Sequence, residues 1–461
     1  MIPLTLAEIA AVLGGAVHDG DPATVVSGPA GVDSRTVPPG GLFAALPGEQ
    51  HDGHDFAAAA VHAGAAAVLA ARPVGQPAVV VDDVVAALGR LAATVRRRLT
   101  GLHVVAVTGS SGKTSTKDLL AQVLERLGPT VAPPGSFNNE IGLPLTVLSA
   151  DERTRYLVLE MGARGAGHIR DLAEVAAPDV GCVLNVGSAH VGEFGSRAAI
   201  AAAKRELVEA LPAGGVAVLN ADDPLVRAMA AHTAARVVTY GEGEGAQVRA
   251  VDVAVDERGR ARFEIVTPGG RGVVALRLVG EHHVANALAA AAVALDAGAA
   301  VDVVAEALTE AEPRSRWRME VVDRADGVTV INDAYNANPE SMRAALKALV
   351  ALAAGRRSWA VLGEMRELGE HSVAEHDAVG RLAVRLDVSR LVVVGQGART
   401  LHLGASLEGS WGEESVFVPD AEAAIALLRA QLRPGDVVLV KASRAAGLDR
   451  VATALLEEED R

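Results

Sequence analysis

The segment Val107-Thr108-Gly109-Ser110-Ser111-Gly112-Lys113-Thr114 has the residue types of a polyphosphate-binding turn. Its glycines let the backbone turn until several N–H groups face one point, and a helix opening at Lys113 adds partial positive charge there. Lys113 can bridge β and γ phosphates, and the Thr114 hydroxyl can ligate Mg²⁺. The strict pattern G-x-x-x-x-G-K-[ST] asks for glycine at 107, where this chain has valine. The plainer alternative is a Gly/Ser turn capping a helix, with an exposed lysine; an apolar strand before it and a helix after it favour phosphate. No Asn-Lys pair occurs, so the N-K-x-D base-reading motif of a GTPase is absent. The loop alone implies a nucleotide and no particular reaction.

Other groups stand where such a loop could use them. Glu160 closes the apolar run Tyr156-Leu157-Val158-Leu159. A carboxylate at the C-terminal end of a parallel strand faces the ligand crevice, and Mg²⁺ commonly takes one or two carboxylates beside phosphate oxygens. The alternative is a surface-loop glutamate. His190 ends Asn185-Val186-Gly187-Ser188-Ala189-His190, again just past an apolar run, and is as much a solvated loop histidine as a catalytic one. Lys204 follows Ala201-Ala202-Ala203 on a helix, with Glu206 close by, and by itself reads as an exposed helix lysine. Arg314, Arg316 and Arg318 alternate around Trp317. They form either a phosphate clamp, which suits the planar arginine fork, or a solvated linker.

The elements that must position these groups follow from the apolar pattern. The spacing predicts a buried strand over Val104 to Val107, then the Gly-rich turn, then a helix from Lys113 to about Leu127. Apolar strands at 156–159 and 180–186, with helical stretches between, predict a parallel sheet with right-handed crossovers. The runs 247–255, 261–266 and 272–278 are separated by Glu257-Arg258-Gly259 and Pro268-Gly269-Gly270, which predicts an antiparallel meander; a helix follows from Val284 to about Leu295. Past Glu312-Pro313 the pattern restarts, with strands at 328–332, 358–362, 391–394, 415–418 and 436–440, each followed by a helix. That is a Rossmann-like unit. Ahead of His103, Thr5 and Glu8 form a capping box, and Arg96-Arg97-Arg98 closes a helix before Gly101. The expected fold is α/β in three domains. Residues 1–100 form an N-terminal α/β domain, 101–312 a central P-loop NTPase-like parallel-sheet domain with a meander, and 313–461 the Rossmann-like domain.

Bulk properties agree. The 461 residues suit three domains at roughly 100–200 residues each. Half are hydrophobic but only 3% are aromatic, so Ala, Val, Leu and Gly fill the layers. The net charge of −14 excludes a general nucleic-acid or anionic-membrane binder; an anionic substrate would need a local cationic pocket. The one cysteine, Cys182, excludes an internal disulfide and fits a reducing compartment. The N-terminus has no basic segment ahead of an apolar core, and no apolar run is long enough to span a bilayer. A cytoplasmic chain with no membrane anchor is therefore expected.

Several segments, in order, resemble the Mur ligase family. They are Thr108 to Thr114, Asn138-Asn139-Glu140-Ile141-Gly142-Leu143-Pro144, Glu160-Met161-Gly162-Ala163, Asn185 to His190 and Lys204-Arg205-Glu206. Further on come Gly280-Glu281-His282-His283-Val284-Ala285-Asn286, Asp333-Ala334-Tyr335-Asn336-Ala337-Asn338-Pro339 and Lys441-Ala442-Ser443-Arg444. The family's variant loop also lacks the glycine that Val107 replaces. The likeness runs from Asp33-Ser34-Arg35 to the C-terminus. It is greatest to those members that join D-alanyl-D-alanine to UDP-N-acetylmuramoyl-tripeptide, through Asp52-Gly53-His54-Asp55-Phe56, Tyr335 to Asn338 and Gly363-Glu364-Met365-Arg366-Glu367-Leu368-Gly369.

The resemblance implies an ATP-dependent amide ligase working through an acyl phosphate. Domain 1–100 would bind the UDP-muramoyl peptide, 101–312 ATP, and 313–461 the amine acceptor. ATP would lie on Thr108, Gly109, Ser110, Ser111, Gly112, Lys113, Thr114 and Ser115, with Asn286 at the adenine, Arg316 at the phosphates and Asp333 near the ribose. Two Mg²⁺ ions would be held by Thr114, Glu160, His190 and a carbamylated Lys204; Lys113, Glu160, His190 and Lys204 are the implied catalytic set. Asn138, Asn139, Asn336, Asn338, Lys441 and Arg444 would contact substrates, and the enzyme would be a monomer. His283, Ser315 and Ala442 depart from the Asn, Gly and Gly common in the family. Two rivals stay open: a relative adding a single amino acid to the muramoyl peptide or glutamate to folate, and a P-loop ATPase switch.

Overall fold

The computed structural model describes residues 1–48, 51–187, 191–409 and 414–457. Among them the strands form four sheets, of two, five, nine and six strands. The chain enters through the helix Leu6–Leu13. Thr5 Oγ1 accepts from the Glu8 N–H (3.2 Å) and Glu8 Oε2 accepts from the Thr5 N–H (2.8 Å), so the expected capping box is present. Gly14, at φ 67°, ends that helix in the left-handed region.

The five-stranded sheet runs Ala16–His18, Ala78–Val80, Ala67–Ala70, Leu42–Ala44, Ala30–Gly31, parallel except for its first pair. The helix Val84–Arg98 leaves it, capped by Asp83 and ending in three arginines. Its apolar stripe, Leu88, Leu91, Ala92 and Val95, is fully buried and shares one core with Leu143, Ile169 and Leu172 of the next unit. Each such leucine contributes about 1.5–3 kcal/mol, so this unit is packed onto its neighbour and not merely tethered. Arg96 fastens the joint, donating to the Ala176 and Ala177 carbonyls and to Asp179, each at 3.2 Å.

The nine-stranded sheet has the order Gly270–Val279, Arg260–Thr267, Val248–Val255, Arg236–Gly241, Val216–Asn220, Val180–Val183, His103–Thr108, Tyr156–Glu160, Thr130–Val131. Its first three strands are the expected antiparallel meander, and every other pairing is parallel. The helix His283–Asp296 is buried along nearly its whole length, packed on the helix Lys113–Glu125. Its runs of alanine allow that close approach.

The six-stranded sheet runs Glu320–Asp323, Thr329–Asn332, Val437–Lys441, Ser358–Leu362, Arg390–Val394, Ser415–Val418. Only the first pair is antiparallel. The five later-predicted strands and their helices all appear, as a Rossmann-like layer. Trp359 is fully buried on the central strand, donates to Asp436 at 3.0 Å, and lies under the guanidinium of Arg357.

Among the described residues, one backbone-to-backbone hydrogen bond joins the second and third α/β units. The Gly192 N–H donates to the Glu367 carbonyl at 3.1 Å, and a Cβ on Gly192 would lie 2.8 Å from the Gly369 Cα. Among the described residues no helix is long and apolar enough to cross a membrane.

Candidate active site

The strand His103–Thr108 lies between the parallel strands Val180–Val183 and Tyr156–Glu160, so the turn after it opens at their shared C-terminal edge, where parallel α/β folds place ligands. The turn is held from below. Asn185 Oδ1 accepts from the N–H groups of Ser110 and Ser111, both at 3.0 Å, and Ser110 Oγ accepts from Gly187 at 2.9 Å. Gly112 is required twice: it sits at φ 81°, and a Cβ there would overlap Asn286 Oδ1. Lys113 folds back to donate to the Gly109 carbonyl at 2.8 Å. Burial depresses its pKa; Glu160 and Glu367 pull it up and Arg318 pushes it further down. A bound phosphate would supply the missing counter-charge.

Glu160 is buried at the end of its strand and oriented by three neutral donors. Thr114 donates to Oε2 at 2.9 Å; Ser136 and Asn138 donate to Oε1 at 2.8 and 2.7 Å. The Thr114 hydroxyl in turn accepts from Arg318 at 3.1 Å. Among the described residues no group of three or more His, Cys, Asp or Glu side chains is gathered. A cation here would therefore complete its shell with phosphate oxygens and water, which is the habit of Mg²⁺.

Lys204 corrects the sequence reading. It is buried, 5% exposed, on the helix Arg197–Glu209, not solvated. Burial, and then the charge of Lys113, holds its pKa well below the ordinary lysine value. Neither a hydrogen-bond partner nor a carboxylate within salt-bridge range meets its amine among the described residues. Two residues on, Glu206 caps the helix His168–Ala176, accepting from Gly167 at 2.7 Å and Arg170 at 3.1 Å. His190, the other expected metal ligand, lies outside the described residues.

The third unit supplies the opposite wall. Asp333 accepts from Lys441 at 2.6 Å and from the Met319 N–H at 3.2 Å, and Lys441 also donates to the Asn336 carbonyl at 2.8 Å. Asn338 caps the helix Pro339–Ala353 through Ser341 and reaches across the cleft to the Ser110 carbonyl at 3.4 Å. Asn139 likewise caps a helix start, accepting from Gly142 at 2.9 Å. Between the walls lies a cavity of about 830 Å³, lined among others by Ser115, Asn286, Asn336 and Arg444. His283 is buried and His282 half-buried beside Asn286, and desolvation lowers the pKa of both, that of His282 to about 4.

Three expected nucleotide contacts do not line the cavity, Gly109 among them, its carbonyl taken by Lys113. Thr108 is buried beneath the loop and donates to the Met161 carbonyl at 2.9 Å, bracing the strand end without lining the cavity. Arg316 is exposed and off the cavity wall; Arg314 pairs with Glu125, and only Arg318 of the three arginines faces the cleft. The cause is local backbone. Trp317 and Met319 are held at φ 59° and 52°, a conformation that costs non-glycine residues energy and turns the intervening side chain inward. Arg318 then lies 4.2 Å over the Tyr335 ring, and Arg444 3.9 Å over Trp317. Sequence reasoning passed over Ser136, Asn185 as a loop support, and Arg318 as the inward arginine. Ser136 had one signal, its place in the Pro133-Pro134-Gly135 turn just before Asn138.

A strand–turn–helix phosphate site facing a Rossmann-like wall defines a nucleotide-dependent enzyme of three α/β units. Family models identify which. The Mur ligase middle domain matches residues 107–294, the Mur ligase, glutamate ligase domain matches 317–444, and the Mur ligase family, catalytic domain matches 30–98. The chain belongs to the Mur ligase family. Among its relatives, the UDP-N-acetylmuramoyl-tripeptide–D-alanyl-D-alanine ligase of Mycobacterium bovis is 56% identical over 100% of this chain and 99% of its own. That of Escherichia coli is 34% identical over 99% of each. Among solved structures, MurF from Acinetobacter baumannii superposes with a TM-score of 0.86 at 32% identity, covering 99% of both chains. MurF from Thermotoga maritima in complex with ADP gives 0.79 at 30% identity, covering 94% of this chain and 98% of that one.

Proposed function

We propose that this ligase joins D-alanyl-D-alanine to UDP-N-acetylmuramoyl-tripeptide with ATP, through an acyl phosphate, forming the pentapeptide precursor of the cell wall. One observation carries the reading. A single cleft sets the phosphate loop and Glu160 against Arg318, Asp333 and Asn338, in a chain similar end to end to ligases named for this reaction.

The tripeptide carboxylate attacks the γ-phosphorus in line, the bond to the β,γ-bridging oxygen breaks and ADP leaves, which asks the protein for position and charge neutralisation more than covalent chemistry. Lys113 leaves the Gly109 carbonyl for the β,γ bridge, and Arg318 faces the same phosphates from across the cleft. The amine of the dipeptide then attacks the acyl carbon, and phosphate departs. Water must be kept from the acyl phosphate, so the walls close before transfer.

Thr114 and Glu160 suit one Mg²⁺, with His190 and Lys204 serving a second; bound there, the metal would neutralise phosphate charge. Lys204 fits carbamylation on chemical grounds. Its buried amine, held well below the ordinary lysine pKa, can as the free base add CO₂ with loss of one proton, and the resulting anion would face the charge of Lys113. We assign residues 1–100 to the UDP-muramoyl peptide, 101–312 to ATP and 313–461 to the acceptor. Asn138, Asn139, Asn336, Asn338, Lys441 and Arg444 are the proposed substrate contacts. In the first four and in Lys441, side chains or carbonyls already hold the cleft walls in shape. We read the enzyme as a monomer, its cleft completed within one chain, and assign it to the cytoplasm.

The test is an acceptor panel: purified protein, Mg·ATP and UDP-N-acetylmuramoyl-tripeptide, with D-alanyl-D-alanine or single amino acids. Phosphate release confined to the dipeptide, with a product heavier by the dipeptide less water, is expected. Binding of Mg·ATP without any new amide would overturn the reading.

A further inference from the structure

One face of the phosphate-loop helix Lys113–Glu125 is bonded along its length to the segment 310–318 that leads into the third unit. Thr114 meets Arg318 at 3.1 Å, and the Asp118 carboxylate accepts from the Ser315 N–H at 3.1 Å. Gln122 makes a reciprocal pair with the Glu312 backbone, donating and accepting at 3.0 Å. Glu125 takes both nitrogens of Arg314 at 2.6 Å, and Arg126, one residue past the helix, pairs with Glu310. Positions 114, 118, 122 and 125–126 recur every turn, so these rungs stack on one stripe.

Asp118 is the most buried of the rungs beyond Thr114, at 7% exposure. It is paired with buried Lys117, whose amine also donates to the Pro133 carbonyl at 2.7 Å. Pro133 opens the loop that brings Ser136 and Asn138 onto Glu160. The Lys117–Asp118 pair therefore touches three things at once: the phosphate helix, the loop that orients Glu160, and the linker that aims Arg318. Neither residue lines the main cavity.

We propose that Asp118 is a positioning residue, and that the ladder it anchors transmits nucleotide occupancy from the phosphate loop to the linker, setting when the third unit closes. This rests on the ligase reading for its kinetic assay but not for its structural one. A close-packed interior is little compressible and transmits strain, so a shift at Thr114 on phosphate binding would be carried along the helix to Ser315 and Glu312. With the rungs cut, the loop still binds nucleotide, while Arg318 and the far wall lose their instruction.

The experiment uses the full chain carrying fluorophores at Ala213→Cys and Ala426→Cys, both exposed, the native Cys182 being buried with its thiol pushed up by burial. Energy transfer is followed on adding Mg²⁺ and a non-hydrolysable ATP analogue, beside kcat, KM and affinity for the analogue. In the parent, the nucleotide alone should shorten the distance. Asp118→Ala should keep analogue affinity within about threefold, lose the distance change, and lose on the order of 10–100-fold in kcat, the worth of one charged buried hydrogen bond. Asp118→Asn, which keeps an acceptor for Ser315, should recover part of this. If Asp118→Ala fails to fold, Gln122→Ala, on the more exposed part of the stripe, decides, with an expected drop of about 3–10-fold in kcat. A parent distance that ignores nucleotide overturns the proposal. So do variants that respond like the parent, and variants whose affinity and kcat fall in parallel. Nucleotide-driven closure in a protein that makes no pentapeptide would sink the ligase reading and leave the ladder standing.

Discussion

Replacing Arg318 by methionine separates the two arginines that compete for the phosphate role. Methionine keeps much of the length and apolar bulk and removes the charge. In the structure, Arg318 donates to Thr114 Oγ1 at 3.1 Å and lies 4.2 Å over Tyr335. It stands close enough to Lys113 to press that amine's pKa down. Losing the cation–π contact costs about 0.5–2 kcal/mol, and relief of repulsion with Lys113 returns part of it, so the variant should fold and melt within a few degrees of the parent. Catalysis should suffer far more. Removing one preorganised donor from developing transition-state charge costs about 2.7–4 kcal/mol, on the order of 10²–10³ in kcat. Arg316→Met changes an exposed side chain off the cavity and, at about 0.5 kcal/mol, should move kcat by no more than about twofold. The assay is steady-state phosphate release at saturating Mg·ATP, tripeptide and dipeptide, with melting curves as the folding control. Near-parental turnover in Arg318→Met beside a collapse in Arg316→Met would refute the argument and mean that the linker rearranges when nucleotide binds.

Other expectations follow from the same cleft. Lys204→Ala should be inactive and partly restored by a short-chain carboxylate; full activity without rescue would end the carbamate assignment. Because burial holds the Lys204 pKa well below the ordinary 10.5, the unfolded chain binds the extra proton between the two values, and native stability rises with pH across that window. In CO₂-free buffer Lys204→Met should therefore melt above the parent at neutral pH, with the gap closing towards pH 10.5; a pH-independent gap would contradict the burial. Glu160→Gln keeps the side chain's shape but removes the charge and turns one acceptor oxygen into a donor, so half-maximal activity should need at least about tenfold more Mg²⁺, one kcal-scale ligand interaction lost; an unchanged Mg²⁺ titration would remove its metal role. Trp359→Ala empties the core of the third unit and takes one donor from Asp436, which keeps Arg357, so denaturant unfolding should report a loss of about 3–5 kcal/mol.

Much of this was open to a reading of residues alone, and the exceptions share a cause. The phosphate turn, the meander and the five strands of the third unit are local patterns of apolar runs and turn residues, and each appears where expected. The strands Val216–Asn220 and Arg236–Gly241 were not singled out, because a short apolar run beside alanine-rich helices does not declare its period. The burial of Lys204 is a tertiary fact. Its neighbours Ala201 to Ala203 suit any helix face, and only the packing of that helix against its neighbours, the helix His168–Ala176 among them, hides the amine. The choice between Arg316 and Arg318 hangs on left-handed backbone at Trp317 and Met319, residue types that give no warning of it. Thr108 belongs to the motif by position, yet its hydroxyl turns to Met161 because the strand end needs a brace there.

The meeting of Gly192 with Gly369 gives the enzyme a gauge without a cushion. Where side chains interdigitate, two bodies can settle at a range of separations, each rotamer absorbing a little slack. Here main chain abuts main chain, with Gly192 N–H fixed to the Glu367 carbonyl at 3.1 Å, and Glu367 itself on the cavity wall. The width of the jaw at that corner is thus set by peptide geometry, and a single added methyl would act as a shim, propping the reaction chamber open to water at the side where Lys113 works.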